Sequence, residues 1–231
     1  MRFDVLTLFP DLIQSHLDFS IMKRAKDDGI IKVNTINPRD YSLDKHKKVD
    51  DTPYGGGAGM VLAPQPYIDA YEGVNKFENS ITIMMTPQGE PFTHEISKEL
   101  ARFDQVIILC GHYEGFDERI REIIKPREIS IGDFVLTGGE LPALCVIDSV
   151  SRNIEGTLGK IESAHDDSFA DGLLEYPQYT KPRVYRGLEV PEVLLNGNHK
   201  LINEFRLSQK IERTKLRRPD LYKKWSENNE N

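Results

Sequence analysis

Three short loops in this 231-residue chain combine glycine with hydrogen-bonding side chains: TPQGE (residues 86–90), GHYEGFDE (111–118) and LTGGELP (136–142). Each follows an apolar run, ITIMM, QVIILC or EISIGDFV, that reads as a strand. Ligands of open α/β sheets bind beyond the carboxyl ends of strands, which is where these loops fall. Glycine lets a ligand approach the backbone, and freed N–H and C=O groups can then read a flat heteroaromatic such as adenine without side chains. Each loop alone could be an ordinary βα turn; three in the same position favour a small-molecule site.

The familiar nucleotide motifs fail letter by letter. A dinucleotide fingerprint needs GxGxxG between the first strand and helix, where LFPDLI stands. The only Gly-Lys pair, Gly159 and Lys160, is followed by Ile161 and lacks the upstream glycine of a P-loop at Ile154. GGGAGM (residues 55–60) lies in a long loop, outside strand-to-helix order, and as a spacing reads as a flexible turn. The six histidines show no metal-ligand spacing, and the two cysteines, Cys110 and Cys145, form no CxxC, so neither zinc nor a disulfide framework is expected. Asp166 and Asp167, in a polar stretch, read as solvated or capping residues, and Arg152 as a helix C-terminal charge.

A net charge of −7 argues against blanket nucleic-acid binding, but the charge is uneven. Residues 205–224 hold eight Lys or Arg against Glu212 and Asp220, a local excess of six. Arg206, Lys210, Arg213, Lys215, Arg217, Arg218, Lys223 and Lys224 make either a solvated helical face or a phosphate-contacting surface.

The elements that must position these groups alternate. RFDVLTLF reads as a strand ending at Pro10, followed by one helical run from an Asp11 cap through Leu12, Ile13, Leu17, Ile21 and Met22 to Gly29. IIKVNTI, ITIMM, QVIILC and EISIGDFVL complete five strands, with helical patterns near residues 66–77, 94–103, 117–124 and 140–154. Alternation predicts an α/β fold with a mostly parallel sheet. Residues 37–64 are too long for a plain connection, and their aromatic and glycine cluster favour an ordered functional loop. After Arg152 the chain turns polar and acidic, then reads as two or three helices. No apolar run approaches the roughly 20 residues of a membrane span, and the N-terminus lacks a cationic flank and long apolar region, so an intact cytoplasmic start is expected.

PRDYSLDKHKKVDDTPYGGGAGM, CGHYEGFDER, SIGDFVLTGGELPA, DSVSR and DDSFADGLLEYPQYTKP, in order over nearly the whole chain, resemble the bacterial tRNA (guanine-N1)-methyltransferase family. The resemblance implies a SPOUT-type α/β domain with a deep trefoil knot over residues 1–161. It also implies a flexible linker at 162–174 and a small all-α tRNA-binding domain at 175–231. The family works as a homodimer with active sites at the interface, and methylates N1 of guanosine 37 in tRNAs with guanosine at 36, using S-adenosylmethionine.

Carried over residue by residue, the cofactor loops are Thr86, Pro87 and Gln88; Gly111, His112, Tyr113 and Glu114; and Ile131, Gly132, Asp133, Phe134, Val135 and Leu136 with Gly138, Gly139 and Pro142. Asp167 is the implied general base and Arg152 the partner of guanine O6, one from each subunit. Asp50, Tyr54 and Gly57, with Arg213, Lys215, Arg217 and Arg218, are the implied tRNA contacts. Mg²⁺ is implied for methyl transfer, with no ligand set legible in the sequence. The chain departs from the common pattern at His112, where arginine often stands, and at Lys181, which keeps the charge of YTRP but loses bidentate phosphate geometry. Two other readings stay open: a SPOUT methyltransferase for another RNA site, and an inert module that binds an adenine-containing ligand or RNA.

Overall fold

A computed structural model describes residues 1–158 and 167–229; Asp166 lies outside the described residues. The chain divides into two compact units, Met1–Gly159 and Lys160–Asn231.

The first unit runs β1 (Arg2–Leu6), α1 (Pro10–His16), α2 (Ser20–Asp27), β2 (Lys32–Ile36), a 3-10 turn (Pro38–Tyr41), β3 (Asp50–Asp51), β4 (Val61–Leu62), α3 (Pro64–Glu72), β5 (Ser80–Pro91), α4 (His94–Leu100), β6 (Gln105–Cys110), α5 (Glu118–Ile124), β7 (Arg127–Ser130) and α6 (Glu140–Arg152). Five strands form one sheet in the order β2-β1-β6-β5-β7, and every neighbouring pair is parallel. A parallel sheet must be covered on both faces, and β6 shows why its sequence is continuously apolar. Val106, Ile108 and Cys110 point into one core with Phe3, Val5, Ile13, Ile96, Val146 and Ile147. Ile107 and Leu109 point into the other with Leu6, Tyr67, Ala70, Ile120 and Ile124. At the amino end of the sheet, buried Asp4 accepts from Arg2 Nε (2.7 Å), Asn34 Nδ2 (2.8 Å) and Gln105 Nε2 (2.6 Å), so its charge is fully coordinated.

The expected single helix after β1 is two. Leu17, fully buried, closes α1 by donating its amide to Gln14 O, and Ser20 at φ 52° redirects the chain so that Met22 and Ala25 also reach the core. Asp11 is not the cap: Phe9 holds that position without a side-chain bond, and Asp11 sits in the first turn, where its charge suits the helix dipole. The expected strand 128–136 stops at Ser130 because its next backbone groups are taken locally. Ser130 Oγ donates to Gly132 O (3.1 Å), and Phe134 N donates to the same carbonyl (2.9 Å). The long interval 37–64 is ordered by the 3-10 turn and by β3 pairing antiparallel with β4.

The second unit holds a two-stranded hairpin, β8 (Val184–Tyr185) and β9 (Leu188–Glu189), a 3-10 turn (Glu192–Leu194), and two helices, α7 (His199–Arg217) and α8 (Pro219–Asn229). Asn198 caps α7 by accepting from Leu201 N (3.3 Å).

Candidate functional site

β6 is followed by α5, which packs on one face of the sheet, and its neighbour β5 by α4, which packs on the other. The chain therefore leaves adjacent strand ends in opposite directions, the arrangement that opens a crevice in α/β sheets. A cavity of about 310 Å³ lies there. Its lining includes Thr86, Pro87 and Gln88; Gly111, His112, Tyr113 and Glu114; and Ile131, Gly132, Phe134, Val135, Leu136, Gly138, Gly139 and Pro142. Of the expected cofactor residues, only Asp133 is not part of the lining.

Each loop is shaped by its backbone. Met85 and Glu90 of β5 both face Ile129 of β7, so residues 86–89 are looped out between them. A Cβ on Gly89 would collide with the Glu128 and Ile129 backbone, so only glycine fits the return. After β6, Tyr113 (φ 60°) and Gly115 (φ 104°) adopt left-handed conformations, and Gly115 N donates to His112 O (3.1 Å). After β7, the chain passes back along the end of β6: Gly139 N donates to Gly111 O (2.8 Å), and Gly138 bridges His112 antiparallel. The double glycine exists for this crossing. A Cβ on Gly139 would sit 2.8 Å from Cys110 Cα and 2.9 Å from Gly111 N.

Glu140, the first residue of α6, is a site residue the sequence did not single out. Its buried carboxylate accepts from Thr7 Oγ1 (2.6 Å) and hydrogen-bonds His112 Nε2 (2.7 Å). The imidazole also packs against Phe9, ring centroids 4.6 Å apart. His112 is thus fixed from two sides where it enters the cavity. Below it, burial, and secondarily Glu140, push the Cys110 thiol well above its ordinary value. Met85, Gly115, Phe116, Arg121, Ile129, Ser130 and Thr137 also line the cavity. Only their positions beside the glycine loops could have signalled them.

The long loop reaches the same loops. Glu114 N donates to Met60 O (3.0 Å) and Leu62 N to Gly115 O (2.9 Å), and a Cβ on Gly59 would strike the Glu114 side chain. Of the expected RNA contacts in this loop, Asp50 is half-buried in β3, whereas Tyr54 and Gly57 stand exposed.

Arg152 ends α6, exposed, in the first unit; Asp167 is half-buried in the second. Along α7 the basic cluster divides. Lys215, Arg217 and Arg218 are exposed, Arg213 is half-buried, and Lys210 is inside. Arg218 is committed to Asp220 through two bonds of 2.9 and 2.6 Å, which raise the guanidinium and lower the carboxyl. Among the described residues no three His, Cys, Asp or Glu side chains converge on a metal position, and no helix is long and apolar enough to cross a membrane.

A family model described as tRNA (Guanine-1)-methyltransferase TrmD matches residues 1–224. Curated relatives named tRNA (guanine-N(1)-)-methyltransferase include one from Staphylococcus epidermidis, 55% identical over 225 residues that cover 97% of this chain and 92% of the relative. Another, from Desulforamulus reducens, is 55% identical over 226 residues, 96% of this chain and 89% of that one. A third, from Staphylococcus aureus, is 53% identical over 230 residues, 100% and 94% respectively. A match of this extent, joined to a parallel sheet with its cavity at the strand ends, places the chain in the tRNA (guanine-1)-methyltransferase family, a SPOUT family.

Proposed function

We propose that this protein transfers a methyl group from S-adenosylmethionine to N1 of guanosine 37 in tRNAs that carry guanosine at 36, acting in the cytoplasm. The observation that carries the reading is the convergence of three glycine loops on one cavity in a chain of this family. The cavity falls at the lower end of the range for small-ligand pockets. Its rim keeps Tyr113, Phe134 and Val135 exposed as surfaces for a flat base. S-adenosylmethionine held there supplies a methyl carbon made electrophilic by its sulfonium.

Guanine N1 carries a proton, and its lone pair is shared with the ring amide. It becomes a nucleophile only as the proton leaves and negative charge builds on O6. Asp167 is the proposed base that accepts the N1 proton, and Arg152 the cation that stabilises O6 as the methyl–sulfur bond gives way to methyl–N1. The proposal includes a homodimer in which the two groups come from different subunits. The first unit offers a face for it: His16 of α1 lies 3.9 Å from Asp148 of α6, and beside this pair Leu12, Leu141 and Cys145 are exposed at helical spacing. The trefoil knot is proposed on the tight crossing of residues 138–139 against 111–112. Exposed Tyr54, Lys215 and Arg217 are proposed to meet tRNA, with Asp50, Gly57, Arg213 and Arg218 beside them. Mg²⁺ finds no donor cluster among the described residues, and none of these roles involves it.

The test is transfer of labelled methyl to two transcripts differing only in guanosine or adenosine at position 37, by wild type, Asp167→Asn and Asp166→Asn. Incorporation into the guanosine transcript alone, lost in Asp167→Asn and kept in Asp166→Asn, is expected. No incorporation into either transcript with S-adenosylmethionine still bound would refute the substrate and point to another RNA.

A further inference from the structure

We infer that Lys210 is a positioning residue for the reaction, holding the Asp167 loop on α7. The proposal rests on the reading of Asp167 as the base.

Residues 167–174, expected as flexible linker, are folded onto the second unit. Ala170 N donates to Asp167 O (3.2 Å) and Gly172 N to Phe169 O (3.2 Å), making two consecutive turns. Phe169 N donates to Leu173 O (2.7 Å), which closes the loop across its base. Phe169 takes φ 77°, a conformation that is strained for a large side chain and persists only where surroundings enforce it. Burial of Leu173 and two contacts with α7 supply that enforcement. Leu173 is buried, Leu174 N donates to Thr214 Oγ1 (2.8 Å), and Asp171 ion-pairs with Lys210 Nζ.

The ion pair differs from the other charges on α7. The Lys210 side chain is only 8% exposed, and Asp171, 47% exposed, is its only ion-pair partner among the described residues. Asp171 also accepts from Leu173 N (3.2 Å), so one carboxylate joins the lysine to the loop's own backbone. Thr214, which holds Leu174, donates in turn to Lys210 O (2.7 Å). Lys210 and Thr214, one turn apart on a buried stripe, thus clamp the loop at two points. The same helix carries the exposed Lys215 and Arg217, proposed to meet tRNA. Asp167 therefore travels with the helix that grasps the substrate, and the clamp sets where its carboxylate arrives.

The test compares wild type, Lys210→Met, Asp171→Asn and the reversal Lys210→Asp/Asp171→Lys by single-turnover methyl transfer, KM for tRNA and S-adenosylmethionine, and amide hydrogen exchange. Methionine keeps most of the buried stem and leaves Asp171 half in water, whereas Asp171→Asn removes no core atoms, so one of the two reports even if the other fails to fold. Because angstrom-scale misplacement of a reacting group costs up to about 100-fold, an at least tenfold loss of rate is expected in both. Both KM values should stay within about twofold, exchange at Phe169 and Leu174 should accelerate, and the reversal should recover part of the loss. Wild-type rates in folded Lys210→Met, or a change confined to KM for tRNA, would overturn the proposal. Asp167→Asn run in parallel separates the two readings. If it is inactive while Lys210→Met is fully active, only the clamp fails; if it is active, the base assignment itself fails.

Discussion

Replacing Gly139 by alanine isolates the close crossing at the cavity floor. Gly139 has φ −82° and ψ −6°, which alanine adopts freely, so no backbone strain enters the comparison. The added methyl would lie 2.8 Å from Cys110 Cα, 2.9 Å from Gly111 N and 3.2 Å from the Cys110 carbonyl carbon. All three are backbone atoms at the end of β6, a fully buried central strand, so none can rotate away as a side-chain tip would. Relief requires residues 137–139 to retreat by most of an ångström, which stretches the 2.8 Å bond from Gly139 N to Gly111 O and displaces His112 and the cavity wall. Overpacking of this kind costs about 1–3 kcal/mol, and loss of one well-made hydrogen bond adds about 1 kcal/mol. At about 2–4 °C per kcal/mol for a protein of this size, the melting temperature should fall by roughly 4–15 °C. Gly55→Ala is the counterpart: φ 88° with nothing within 4 Å of the added carbon, so only the left-handed cost of about 1–2 kcal/mol applies and the cavity is untouched. Calorimetric unfolding and titration with S-adenosylmethionine should show Gly139→Ala losing both stability and binding, and Gly55→Ala stability alone. A Gly139→Ala protein within about 0.5 kcal/mol of wild type that binds normally would refute the steric account of the double glycine.

Two further outcomes follow from the charges and thiols. Cys110 is fully buried with its thiol pushed up, so a disulfide reagent followed by mass spectrometry should label Cys110 only after unfolding; native labelling of Cys110 would refute the packing of β6. Arg127 holds Glu90 below its usual range chiefly through a 2.6 Å hydrogen bond, so the pair's contribution is complete above the ordinary glutamate value of about 4.3 and is lost as pH falls through the lower folded value. The stability gap between wild type and Arg127→Leu in urea should therefore narrow from about pH 6 to about pH 3, and a gap that widens would reverse the sign.

The sheet was legible because β6 and β5 spell it out in runs that only a doubly covered strand can hold, with Gly111 directly after one and Gly89 four residues after the other. What escaped was set by partners distant in the chain. Glu140 looked like one acid among many, since Thr7 and His112, which occupy its carboxylate, stand 133 and 28 positions away. Lys210 was counted with the surface cations because helical spacing marks a buried stripe only where its residues are apolar, and this stripe is Lys210 and Thr214. The strand expected beyond Ser130 failed for a local reason: a serine hydroxyl and the Gly132 carbonyl satisfy the groups that a ladder would need.

In the proposed reaction the two units divide the work according to how each is held. The cavity loops leave three neighbouring strands of a sheet whose core residues are close to fully buried, and they are tied to one another by backbone bonds such as Gly139 N to Gly111 O. A site built this way is rigid before any ligand arrives, which suits a methyl donor that must be presented along one line of attack. The proposed base is held differently. Its loop carries a left-handed phenylalanine and hangs on α7 by the Lys210–Asp171 ion pair and the Thr214 hydroxyl, few enough contacts that its stability depends on the helix. In the proposed reaction, precision at the methyl donor and dependence of the base on the helix proposed to meet tRNA are different physical demands. Under the proposed mechanism the chain meets them with different structures, and methyl transfer to a guanine not yet held by α7 is expected to be suppressed at the base rather than at the cofactor.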